Sequence, residues 1–123
     1  MQMTILFSQG GFGEVLSLQP LTLPAGSPKP EIGPPMRVPG SMAGWFEMAV
    51  NFGVVSLPAG VLAGCIANWI TSARSQRKAN AASFKAKLVF EKDGREVEIE
   101  LTAGDSASLA EIIEDTLVRV HSE

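Results

Sequence analysis

From Met48 to Ala73 the chain runs for 26 residues without a charged side chain. An apolar stretch of roughly 20 residues is long enough to cross a bilayer core as a helix, so any fold must put this block out of water. The stretch is interrupted by Asn51, Ser56, Pro58 and Asn68 and diluted by Gly53, Gly60 and Gly64. Proline suits a first helical turn and breaks an interior one. The residues therefore predict an apolar helical segment over 42–73, kinked near 56–58. It would be one helix over about 41–55 and a second from about Pro58 to Arg74, or a single bent helix.

The second piece has its own pattern. Gly60, Gly64 and Asn68 recur every four residues, with Ala59, Ala63 and Ala67 on the neighbouring strip. Small residues four apart let two helix backbones approach closely. Gly60, Gly64, Ala67 and Asn68 are thus candidates for a helix-packing or oligomer face. Trp69 and the basic residues Arg74, Arg77 and Lys78 are placed as a membrane interface would place them. Three arrangements hide the block: a membrane span with the basic cluster on the cytoplasmic side, a soluble oligomer burying the helices between copies, or a monomer burying them in its own core.

Around the block, charge is segregated. Residues 1–47 sum to −1, residues 74–90 carry five basic groups and no acid, and residues 91–123 carry ten acids against Lys92, Arg95 and Arg119. Seven of the eight prolines lie between Pro20 and Pro39, which marks 19–41 as a linker or long loop. The apolar runs Thr4–Phe7 and Glu14–Leu18 read as short N-terminal strands within 1–18, and residues 74–83 as a basic connector. With no basic and apolar leader after Met1, a cleaved signal peptide is not expected.

The C-terminal segment, 84–121, is the most legible. Phe84, Ala86, Leu88 and Phe90 alternate with Lys85, Lys87 and Val89, and Val97, Ile99 and Leu101 with Glu96, Glu98 and Glu100. Asp93-Gly94 between them signals a two-residue hairpin turn. That turn pairs Lys92 with Arg95, which sets Phe90 opposite Val97, Leu88 opposite Ile99 and Ala86 opposite Leu101. Ser108-x-x-Glu111 reads as a capping box, with Leu109, Ile112, Ile113, Leu117 and Val120 along one helical stripe. The expected fold class is α+β: an apolar helix or helical hairpin, then a β-hairpin and C-terminal helix, with short N-terminal strands.

Catalytic chemistry is hard to build here. The chain has one Cys and one His. Cys65 lies in the apolar block and reads as a small buried hydrophobe, and His121 sits near the end. No nucleophile–base pair, metal site or cofactor site is expected, and none of the residues is assigned a catalytic role. The basic run lacks interleaved aromatics, so nucleic acid is not an expected partner.

The order of these features resembles the effector-associated constant component family of bacterial conflict systems. The resemblance rests on Leu62-Ala63-Gly64-Cys65-Ile66-Ala67-Asn68-Trp69-Ile70 followed by Arg74 and Arg77, then Phe84–Leu101 with its Asp-Gly turn, and covers roughly Ala43 to Val120. It implies a small non-enzymatic, membrane-associated component of a bacterial immune system, encoded beside effectors such as caspase-like or trypsin-like peptidases. Combined with the helix pattern, the expectation is a self-associating component, acting as a pore or anchor at a membrane. The alternative is a cytoplasmic, soluble oligomeric adaptor. On the membrane reading, Gly60→Leu or Gly64→Leu would weaken association with liposomes.

Overall fold

The computed structural model describes residues 1–7, 12–40, 44–53, 57–76, 86–101 and 106–121; the side chains of residues 12, 13, 74–76, 86, 101, 106, 107 and 121 are not among those described. Strand β1 (Gln2–Phe7) is followed by helix α1 (Phe12–Leu18), the short strands β2 (Glu31–Ile32) and β3 (Met36–Arg37), β4 (Phe46–Asn51) and helix α2 (Ala59–Gln76). Strands β5 (Ala86–Lys92) and β6 (Arg95–Leu101) and helix α3 (Ser106–His121) complete the order. The fold is α+β, and the described residues form six strands in one antiparallel sheet ordered β2-β4-β1-β5-β6, β3 also pairing with β4.

Strand β1 is central because its sequence alternates well. Met3, Ile5 and Phe7 point to one face and are fully buried, while Gln2, Thr4 and Leu6 point to the other. A row of apolar side chains crosses the sheet where Met48 pairs with Ile5, Ile5 with Leu88, and Leu88 with Ile99. Phe7 and Phe46, paired at the next row, stack with ring centroids 5.8 Å apart. The inner face is closed by α2 and α3, which pack along each other, with α3 over β5 and β6. Leu62, Ile66, Trp69 and Ile70 of α2 and Leu109, Ile113 and Leu117 of α3 share one core with the strands.

The chain uses one plan twice. Strands β1 and β5 lie side by side at the centre; β4 and β6 pair on their outer sides, and each of these is followed by a helix. Ile5 and Leu88 are directly opposed, which relates Met3-Thr4-Ile5-Leu6-Phe7 to Ala86-Lys87-Leu88-Val89-Phe90 about an approximate two-fold axis. The same relation sets Phe46-Glu47-Met48 against Val97-Glu98-Ile99.

Several expectations are corrected. Phe46–Asn51, expected to be helical, is a strand. Phe46, Met48 and Val50 alternate with Glu47, Ala49 and Asn51, and this period of two prevails over the lack of charge. Among the described residues, the apolar block therefore forms a strand and one helix, α2, and no helical hairpin. Glu14–Leu18 lies in helix α1 rather than a strand. The proline-rich stretch is not wholly free of regular structure, since β2 and β3 run along β4 as an interrupted edge. Three residues, Gly33, Pro34 and Pro35, stand opposite Met48 and Ala49, and the extra residue makes a bulge. Proline, with no N–H to donate, is at home on such an edge. The C-terminal hairpin joins an N-terminal strand, since β5 pairs along β1.

The hairpin register and the presence of α2 and α3 agree with expectation, while the start of α3 and its buried stripe differ in detail. The β5–β6 register pairs Lys92 with Arg95 and Leu88 with Ile99, around Asp93 and Gly94 at φ 52° and 82°. Two positive φ angles in succession are what a type I′ turn requires. Helix α2 covers the expected second helix. Helix α3 begins at Ser106, so Ser108 sits inside its first turn rather than before it. Ile112 is 44% exposed, and Thr116 takes its place in the buried stripe, donating its hydroxyl to the carbonyl of Ile112 at 2.9 Å. The expected kink at Ser56, the start of the strand at Phe84, and Arg77 and Lys78 of the basic connector lie outside the described residues.

Candidate functional site

Helix α2 has two sides of different character. Leu62, Ala63, Ile66, Ala67, Trp69, Ile70 and Ala73 are buried in the chain's own core. Opposite them, Gly60, Val61, Asn68 and Ser72 are exposed, and Gly64 and Cys65 are half-buried. Helices that face water ordinarily carry charge on the outer side, but this ridge has none from Ala59 to Ala73.

A cavity of about 280 Å³ opens on this ridge, lined by Gln19, Pro20, Thr22, Cys65, Asn68, Trp69 and Ser72. The helix contributes Cys65, Asn68 and Ser72 because spacings of three and four fall on one face. The other wall is the chain leaving α1. It is held there by Leu16 and Leu21, both buried, and by the indole Nε1 of Trp69, which donates to the carbonyl of Gln19 at 3.1 Å. The lining offers amide, hydroxyl and thiol groups around the indole and no carboxylate, ammonium or guanidinium. Gln19 Oε1 is shut from water without a hydrogen-bond partner.

The predicted site residues separate accordingly. Trp69 is 4% exposed and belongs to the core, so it is not an interfacial anchor. Ala67 is also buried, and only Asn68 of the proposed packing stripe reaches the cavity. A Cβ on Gly60 would meet the carboxylate of Glu114 at 3.4 Å, whereas one on Gly64 would meet nothing within 4 Å. Neither glycine is therefore needed for close helix packing within the chain. Arg74 lies in the last turns of α2, its side chain outside those described, and Arg77 and Lys78 lie beyond the described residues. Cys65 is half-buried on the cavity wall rather than sealed in the core. Gln19, Pro20, Thr22 and Ser72 are site residues that the sequence does not single out.

No helix among the described residues is long and apolar enough to cross a membrane. Helix α2 has 18 residues, but its apolar stripe faces the sheet. Among the described residues, no three His, Cys, Asp or Glu side chains converge as metal ligands would. On the outer face of the sheet, Lys87 reaches Glu98 at 3.6 Å and Glu100 at 3.9 Å and lies 6.0 Å from the centre of the Trp45 ring. These are partly exposed contacts of a solvated face. No protein-family profile, curated protein or solved structure matches the chain.

Proposed function

We propose that the protein is a non-enzymatic, self-associating component that works by binding, through the outer side of α2 and the cavity beside it. The observation that carries this reading is the ridge of Val61, Gly64, Cys65, Asn68 and Ser72, which carries no charged side chain and runs up to the Glu114 carboxylate beside Gly60. Covering neutral, small side chains leaves no buried charge uncompensated, and depletion of charge marks the core of protein interfaces. The resemblance to the effector-associated constant component family supplies the setting: a bacterial conflict system, with a caspase-like or trypsin-like peptidase as the partner effector. Assembly would use the outer ridge of α2, since the apolar stripe is already covered by the sheet and α3.

Light scattering in detergent-free buffer, combined with liposome flotation, tests this reading. It predicts a defined species heavier than the 13.0 kDa chain that stays out of the lipid fraction. A monomer at every concentration, or a protein that floats with the vesicles, contradicts it.

A further inference from the structure

The self-association just proposed leaves open how the copies meet. Two features lie next to each other on the surface. One is Leu18, the last residue of α1, which is 84% exposed although Leu16 and Leu21 on either side of it are buried. The other is the cavity, whose wall begins at the very next residue, Gln19.

We infer that two copies assemble by a reciprocal exchange in which Leu18 of each enters the cavity of the other. At about 280 Å³ the cavity falls just below the roughly 300–1,000 Å³ typical of small-ligand pockets. It has room for an aliphatic side chain, which would lie against the indole of Trp69. A plug and a socket side by side on one chain are what a two-fold interface needs, because each contact then occurs twice.

The wall itself supports a second copy as the occupant. Among the described residues, the N–H groups of Leu21 and Leu23 have no backbone acceptor, and residues two apart direct their N–H groups to the same side where the chain is extended. A two-fold axis beside this segment would set it antiparallel to its own copy, where such groups can pair. Charge also fits. Residues 15–28 form another run without a charged side chain, and the fold brings it against the charge-free α2 at the cavity. Neither the 15–28 segment nor the Ala59–Ala73 stretch of α2 itself carries a charged side chain into such a contact, although each chain carries a net charge of −3.

The inference rests on self-association, and its test separates the two. The full chain, Leu18→Glu and Leu18→Met are compared by sedimentation equilibrium, and Cys65 is alkylated with a maleimide at low and high protein concentration. Circular dichroism checks that each variant is folded, which an exposed position should allow. The expected result is a dimer for the wild type and for Leu18→Met, with Cys65 reacting at least tenfold more slowly at dimeric concentration. Leu18→Glu should be monomeric and lose that protection. A wild-type protein that is monomeric throughout overturns both self-association and the exchange. If it associates but Leu18→Glu associates equally well, or Cys65 is as reactive in the dimer as in the monomer, the exchange alone is overturned.

Discussion

The indole N–H of Trp69 donates to the backbone carbonyl of Gln19 across 50 residues of sequence, at 3.1 Å. This one bond ties the middle of α2 to the chain leaving α1, and so fixes both walls of the cavity. Trp69→Phe keeps most of the buried ring and loses the bond, which should cost about 0.5–1.5 kcal/mol. Trp69→Ala also empties the core beneath the cavity and should cost about 3–5 kcal/mol. Urea unfolding of the two variants measures the difference.

The α2 glycines make a contrasting prediction. Gly64 has open space where a Cβ would stand, and it lies in the interior of a helix, where Ala is favoured over Gly by about 0.8–1.0 kcal/mol. Gly64→Ala should therefore raise the stability of the monomer by an amount of that order in a dilute thermal melt. Gly60→Ala should gain less, because it is near the helix start and the Glu114 carboxylate must make room. A loss of stability in Gly64→Ala would show that the glycine supports packing within the chain.

The β5–β6 turn has both of its central residues at positive φ. Gly94→Ala should cost about 1–2 kcal/mol, the penalty for an L-residue in the left-handed region. Asp93→Asn should be nearly neutral, since Asn suits the same turn. Denaturant midpoints of the two variants check the sign and the order.

Ile5 and Leu88 are opposed at the centre of the sheet and both are fully buried. Each, truncated to Ala, should cost about 2–5 kcal/mol. Because the side chains are cross-strand neighbours, the double variant should depart from the sum by more than about 0.5 kcal/mol. A double-mutant cycle on equilibrium unfolding gives that coupling directly.

The parts of the fold legible in the sequence were those set by local chemistry. Asp93-Gly94 fixed the hairpin register because a two-residue turn leaves no freedom in pairing. Pro58 likewise marked the start of α2. Phe46–Asn51 misled because its flanks, rich in glycine and free of charge, extend a pattern that also suits a helix. Its partners, β1, β2 and β3, are supplied from distant sequence. The cavity was less legible still. Asn68 was visible through its four-residue spacing, but Gln19, Pro20 and Thr22 join it only because Trp69 reaches back across the chain. Trp69 stands beside a basic run, as a membrane anchor would, and its burial comes from packing in the core with strands distant in sequence.

The central claim is that the charge-free ridge of α2 is a contact surface between copies. Sedimentation velocity of the full chain and of Asn68→Lys in detergent-free buffer tests it most directly, since Asn68 is exposed and lines the cavity. The account predicts a wild-type species heavier than 13.0 kDa, and an Asn68→Lys protein that is folded and sediments as the single chain. A wild-type protein that sediments at 13.0 kDa at all concentrations, or an Asn68→Lys variant that assembles as the wild type does, would contradict it.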